Sequence, residues 1–391
     1  MVYASTIKVK PHDSTQLIQI FGPPSYDNFG EQRPFTNEPE CLIGFTTSFL
    51  ALSWIFVCLR LYVRLRVVQM PGLDDLFVLL YLIFATAALI VFLLTIKYGA
   101  GQHFLLLTVR EFTTYLKLFY ALNINLNLAA AFIKLSLLFQ YLRIFGRGTW
   151  AYRASLVGIV FVTLWGVAYV LLSAFPCATV SDAWNILARN AHCWGYGSQD
   201  PDLFTATIVS HNIINTAFDI YITFIPFQLY FQPDVTLRTR LGLMVLLLMG
   251  ATVVTLSVWR VHDTIYYKTG WYPTHDPTWY GPKSILLMVL EINVASICAS
   301  VPIFWPVLRP YLGAIFVTRE FSVRHELRET TTGTGTSTHW RSETDLNAHY
   351  KDSYVMDLVD PFSGKDDGHH VESRARKIDS DGQKMKWWHL F

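Results

Sequence analysis

Seven long, mostly apolar stretches, at residues 42–61, 76–96, 116–142, 155–175, 204–231, 241–261 and 285–308, constrain this chain more than any other feature. A helix needs roughly 20 such residues to cross about 30 Å of hydrocarbon. Inside lipid every backbone N–H and C=O must find its partner within the chain, and separate runs of this length achieve that as helices. The sequence therefore predicts an all-α fold, an integral membrane bundle of seven transmembrane helices. The third and fifth stretches carry the most polar residues and are still counted as spans. Composition points the same way, since 52% of the 391 residues are hydrophobic and 15% charged, a bias too strong for an ordinary soluble fold.

Charge divides the chain into three parts. Residues 1–40 are polar with scattered Pro and Gly and read as an extracellular N-terminal tail, 41–310 hold the membrane domain, and 311–391 are hydrophilic and read as a disordered cytoplasmic tail. Orientation comes from the short connections. Arg60, Arg64 and Arg66 follow the first stretch, Arg143, Arg147 and Arg153 flank the connection after the third, Arg238 and Arg240 precede the sixth, and Arg309, Arg319 and Arg324 follow the seventh. The positive-inside rule puts these segments in the cytoplasm, with the N-terminus outside and the C-terminus inside. Lys97, Arg110, Arg189, Lys268 and Lys283 make the asymmetry moderate, while Trp194, Trp271 and Trp279 suit an aromatic belt at the outer interface. Residues 1–13 lack the apolar core of a cleavable signal, so the first helix is expected to act as its own insertion signal.

Such a chain is expected to be a multi-pass protein of the plasma membrane, or else of an endomembrane, with the lipid bilayer as its first partner. The Thr/Gly run at 330–338 offers phosphorylation sites, and the closing residues 386–391 read as a sticky end or as a contact for the inner leaflet. A net charge of +2, with Arg residues beside apolar runs rather than on one basic surface, argues against nucleic acid as a partner.

Motifs at the helix ends narrow the reading. Arg60-Leu-Tyr-Val-Arg64 precedes Asp74-Asp75 at the second helix, and Tyr98-Gly-Ala-Gly-Gln-His103 closes that helix. Lys134-Leu-Ser-Leu-Leu-Phe-Gln-Tyr-Leu-Arg-Ile-Phe145 follows, then Cys177, Trp184 and Cys193, then Asn215, Asp219 and Pro226. Gly250, Ser257 and Arg260 come next, and Glu291-Ile-Asn293 with Cys298, Pro302 and Pro306 ends the series. In this order, across residues 41–310, the motifs resemble those of the fungal rhodopsin-domain family, which includes the Pth-eleven-like receptors and the satratoxin-cluster membrane proteins. The resemblance implies a receptor-like protein of seven helices rather than a known reaction. One departure is Gln102, where the family commonly has a basic residue before the histidine. A retinal pigment is not implied, because a Schiff base needs a lysine well inside the seventh helix and the nearest, Lys283, sits at its mouth. No cofactor is expected.

At about 100° per residue, Asn123, Asn127, Lys134 and Tyr141 share one face of the third helix, and Asn212, Asn215 and Asp219 share one face of the fifth, while Asn125 points elsewhere. An ionised side chain in the bilayer costs at least about 2.5 kcal/mol, so such groups turn inward and pair. Lys134 and Asp219 lie at similar depth and are read as an intramembrane pair, serving either as polar glue or as a switch whose pairing changes with state. Arg260 and Glu291, placed within one or two turns of the outer face, form a second candidate pair with His103, either a ligand-binding outer cluster or a structural clamp. Asp74 and Asp75 open the second helix, where they cap exposed N–H groups or form an inner ionic cluster with Arg143. Cys177 and Cys193 share an outer loop in a disulfide-permissive compartment and are read as a bridge, with Cys41 as a competing partner for either. Cys58 and Cys298 read as buried small hydrophobes.

Three function classes compete. A zinc hydrolase needs several histidines at one depth and only His211 falls within the predicted spans, so no metal site is expected. A transporter would show internal repeats or matched broken helices, and neither is clear. An accessory protein, cyclase or isomerase of a fungal secondary-metabolite pathway, with Asp219 or Glu291 as proton donor, stands as the alternative. The preferred reading has no catalytic residue: a receptor-like protein that senses an extracellular cue through a small-molecule ligand and addresses a cytoplasmic signalling partner.

Overall fold

The structure, a computed structural model, describes residues 26–186, 191–230 and 237–315 together with 17, 18, 21 and 24. The readings made for residues 1–16, Arg189, Arg319, Arg324, the Thr/Gly run and the closing residues lie outside these, as do the side chains of Arg238 and Arg309. Among the described residues there are seven long helices: α1 Pro39–Tyr62, α2 Leu73–Lys97, α3 Val109–Ile144, α4 Trp150–Ala174, α5 Pro201–Tyr230, α6 Leu237–Tyr266 and α7 Pro277–Ile315. α1 continues into a π-helical turn, Val63–Val68, which ends on Gln69 in the left-handed conformation (φ 54°).

Six of the seven, all but α5, are long and apolar enough to cross a membrane. α5 falls short because His211, Asn212, Asn215, Thr216 and Asp219 are buried along one side of it, although Ile213, Ile214, Ile220 and Phe224 are exposed on the other. α3, α5 and α7 begin before their apolar runs, at 109 instead of 116, 201 instead of 204 and 277 instead of 285. Hydropathy measures the lipid-facing part of a helix, whereas local chemistry sets its start. At α3 a capping box does so: Thr108 Oγ1 accepts the Glu111 N–H at 3.1 Å, and Glu111 Oε2 accepts the Thr108 N–H at 2.9 Å. α5 and α7 each begin with a proline at the first helical position, where its missing N–H costs nothing.

α3 and α7 are the central helices, with 67% and 72% of their spans buried against 22–33% for α1, α2, α4 and α6. The pattern of burial is inverted relative to a protein in water. Ile55, Ile83, Ile90, Phe161, Leu164 and Leu248 are exposed around the outside, and Arg60, Lys134, Gln140, Asn215, Arg260 and Glu291 are buried inside. Cys298 is buried, but Cys58 lies exposed on α1, so the expectation of burial for Cys58 is corrected: it belongs to the apolar outer face.

Small residues allow the helices to close on each other. A Cβ at Gly166 of α4 would stand 2.8 Å from the Ala131 Cβ of α3, and one at Gly250 of α6 would stand 2.8 Å from the Thr223 Cγ2 of α5. α7 is tied in by hydroxyl and amide groups: Tyr81 of α2 donates to Asn293 Oδ1 at 2.9 Å, and Ser53 of α1 bonds Ser296. Gly166→Ala should therefore lower the thermal midpoint in detergent, by the about 1–3 kcal/mol typical of overpacking. Gly44→Ala, at a helical glycine with open space around it, should leave the midpoint unchanged or raise it. Equal effects at the two positions would contradict the tight α3–α4 crossing.

Candidate functional site

The deepest polar groups form one connected network across α3, α5, α6 and α7. Lys134 of α3 donates to Asp219 Oδ1 of α5. Asn215, one turn before Asp219, gives its Nδ2 to Asp219 Oδ2 at 3.1 Å and to Glu291 Oε1 of α7 at 2.7 Å. Glu291 also receives Arg260 of α6, whose Nε and Nη2 lie 3.2 and 3.0 Å from Oε2. Arg260 Nη1 donates to Asn212 Oδ1, and Asn212 Nδ2 donates to Thr264 Oγ1 at 2.9 Å. The two pairs that the sequence suggests separately are thus joined through Asn215. Two cations and two carboxylates, each 5% exposed or less, balance within it.

Glu291 stands 14 residues into α7, which starts at Pro277. His103 stands apart from Arg260 and Glu291, which corrects the expected three-residue outer cluster. The chain leaves α2 through Gly99 and Gly101, both at positive φ, and a Cβ at Gly101 would lie 2.5 Å from the Asn37 carbonyl oxygen. This turn carries His103 to the connection between α6 and α7, where its Nδ1 meets Asp276 Oδ2 at 2.7 Å and its ring stacks on Trp279 at 3.8 Å. Asp276 also accepts Asn28 Nδ2 at 3.0 Å and the Phe104 N–H at 3.1 Å. Arg33 Nη2 reaches Gly101 O at 2.9 Å and Asn37 Nδ2 reaches Trp279 O at 2.8 Å. Residues 28–37 are in this way latched over the ends of α2 and α7.

At the opposite helix ends lies the inner cluster. Asp74 accepts Arg60 Nη2 at 2.7 Å, Arg64 Nη2 at 3.3 Å and Arg143 Nη1 at 3.2 Å. Asp75 accepts Arg60 Nε at 3.1 Å and also caps α2 by accepting the Gly72 N–H at 3.1 Å, so capping and ion pairing coexist. Arg60, with no exposed surface, further donates to Gln140 Oε1 of α3 at 2.9 Å and to the Ala299 carbonyl of α7. It is the hub of the cluster, a role that its reading as a cytoplasmic marker missed. The four-residue spacing of Arg60 and Arg64, a short turn before two aspartates, was the available signal.

Between these ends, the halves of α3, α5, α6 and α7 away from the Arg60 cluster enclose a cavity of about 730 Å³. Phe112, Tyr115, Phe119 and Met288 contribute apolar walls, and Asn123, Asn127, His211, Asn212, Arg260 and Asp263 contribute polar lining. Asn123 bonds its own helix at Phe119 O, 2.8 Å away, as Asn125 bonds Ala121 O. Asp263 is held by Lys283, whose ammonium sits on its Oδ1 at 2.5 Å. Asp219 and Glu291 do not line the cavity. Residues 176–186 and 191–199 pass over it, pinned by a disulfide between Cys177 and Cys193, while Cys41 is free and buried. Burial raises the pKa of the Tyr196 hydroxyl in this segment. Among the described residues no group of three His, Cys, Asp or Glu could hold a metal ion.

Two outcomes test this geometry. Lys134→Met and Asp219→Asn should each cost about 3–5 kcal/mol by stranding a buried partner, and the double substitution should recover much of that. Additive losses in a double-mutant cycle on thermal stability would deny the coupling. The second outcome concerns His275, which packs on Trp271 at 3.9 Å in the α6–α7 connection; burial pushes its pKa down to about 4, with Asp276 opposing. The unfolded chain takes up this proton near pH 6.5 and the folded one only near 4, so the stabilisation is complete above the first value and falls as pH drops between them. Going from pH 7 to 5 should cost on the order of 1 kcal/mol, read as a lower midpoint that His275→Gln makes less pH-dependent.

Comparison with curated proteins and with solved structures gives no match. The family model described as fungal rhodopsin domain matches residues 59–310, from the end of α1 to the α7 region, and this span includes the inner cluster, the buried network and the disulfide. The chain belongs to the fungal rhodopsin-domain family.

Proposed function

We propose that this is a receptor-like membrane protein of seven spanning helices, α5 included, that binds a small molecule in the outer cavity and addresses a cytoplasmic partner from the inner cluster. The observation that carries the reading is the cavity itself. Its volume is within the range of small-molecule sites, roughly 300–1,000 Å³, and it has aromatic walls and a few convergent polar groups. The charged network begins at its floor, since Arg260 and Asn212 belong to both. Occupancy of the cavity therefore bears directly on residues that connect four helices.

Support for α5 as the seventh span comes from its 30 residues, about 45 Å of helix, and from the exposed Ile and Phe side chains opposite its polar face. Arg60, Arg64 and Arg143 gather at one end of the bundle, which by the positive-inside rule is cytoplasmic and leaves the cavity and the disulfide outside. A plasma-membrane location follows from an extracellular ligand. The alternative, a cyclase or isomerase using Asp219 or Glu291 as proton donor, draws no support from the cavity lining, because neither carboxylate reaches it.

In intact cells, a tag after Phe391 should be protected from added protease and a tag before Tyr3 should be cut. The opposite pattern would invert the protein and end the extracellular-ligand reading.

A further inference from the structure

We infer that Asn127 and His211 form a polar subsite at the floor of the cavity that selects an uncharged, largely apolar small molecule carrying a hydroxyl group. The inference rests on the ligand-binding reading above and gives it a chemical class. Asn127 and His211 are each 3% exposed and both line the cavity; the His211 Nε2 has no hydrogen-bond partner among the described residues, and the Asn127 Nδ2 faces the Tyr196 hydroxyl of the overlying segment without a well-formed hydrogen bond to it. Buried polar atoms are almost always partnered, and leaving one unpaired costs about 1–3 kcal/mol. Two such atoms on the wall of one cavity mark where a ligand's polar group is wanted.

The two atoms differ in kind. Asn127 Nδ2 can only donate. For His211 the neighbouring network sets the tautomer: Arg260 has no acceptor, so the Asn212 atom it bonds is oxygen, and the Asn212 Nδ2 is directed to Thr264. His211 Nδ1 faces that same Asn212 Oδ1 at 3.3 Å and must carry its proton there. Nε2 is left with a lone pair to accept a hydrogen bond. The ring cannot easily turn to exchange these roles, because Trp165 stacks on it at 5.1 Å and Tyr169 meets it edge-on at 4.9 Å.

A hydroxyl accepts and donates, so it matches both kinds of atom, whereas an ether can only accept and a hydrocarbon does neither. Charge is not called for. Arg260 is already neutralised by Glu291 at 3.0 Å and Asp263 by Lys283, so the charged side chains at the floor offer a ligand no unpaired ion. Apolar walls from Phe112, Phe119, Leu126 and Met288 suit a hydrophobic body.

The test uses the full chain purified in detergent and three probes with one skeleton, pyrene, hydroxypyrene and pyrenesulfonate, with saturable energy transfer from tryptophan as the readout. Hydroxypyrene should bind about tenfold more tightly than pyrene, as expected for hydrogen bonds to two otherwise unpaired buried atoms, and pyrenesulfonate no more tightly than pyrene. The ratio of hydroxypyrene to pyrene affinity should fall toward one in Asn127→Leu and in His211→Phe. Equal affinities for pyrene and hydroxypyrene, a preference for the sulfonate, or a hydroxyl preference that survives both substitutions would overturn the subsite while leaving the cavity as a binding site. Absence of saturable binding by all three would overturn both. Should either variant fail to fold, the comparison of probes on the unaltered chain still decides.

Discussion

Charge in a medium that cannot solvate it has to be cancelled within hydrogen-bond distance, and the bundle is organised around that requirement. At 4 Å two unit charges interact by about 4 kcal/mol at an effective dielectric of 20, several times the value in water. Lys134, Asp219, Glu291 and Arg260 answer this as a balanced set, drawn from four different helices. Each helix contributes one charge, so none can shift alone without stranding a partner. This gives the interior a specificity that apolar contacts lack, because lipid tails solvate leucine as well as a neighbouring helix does.

The two ends of the bundle solve different problems. At the Arg60 end three arginines share two aspartates. Arg60 is fully buried there, held by α2, α3 and α7 together, so that end is fixed. At the opposite end the loops meet through hydrogen bonds gathered on Asp276, and the interior beside them is open. One end is closed by ions and the other is left hollow beneath a disulfide-pinned segment.

Much of this was legible in the sequence because membrane physics is one-dimensional: length, hydropathy and depth can be read along a chain. The apolar runs, the shared faces of Asn123 with Lys134 and of Asn212 with Asp219, and the matched depth of Lys134 and Asp219 all depend on helical periodicity alone. What depth cannot supply is the partner in a loop. Asp276 lies outside every apolar run, so nothing in the sequence points from His103 to it, and depth alone groups His103 with Arg260 and Glu291. Arg60 illustrates the opposite error. A rule that counts arginines as markers of the aqueous side says nothing of one drawn inward by two aspartates across a short turn. The early start of α3 was written in Thr108-Val-Arg-Glu111, a capping box that a hydropathy scale does not weigh.

α7 carries bonded positions at 291, 293, 296 and 299, reaching α5 and α6, then α2, then α1 twice. These positions are eight residue steps from first to last, about 12 Å of rise, and fan out around the helix axis at 100° per residue. A helix fastened along one edge can roll; one fastened on several sides at successive levels behaves like a keyed shaft. Turning α7 by even one residue's angle would break contacts with four neighbours at once, while tilting it as a rod strains mainly the ends. The motions left at low cost to this bundle are therefore those in which α7 moves whole, carrying the cavity floor and the Arg60 anchor with it.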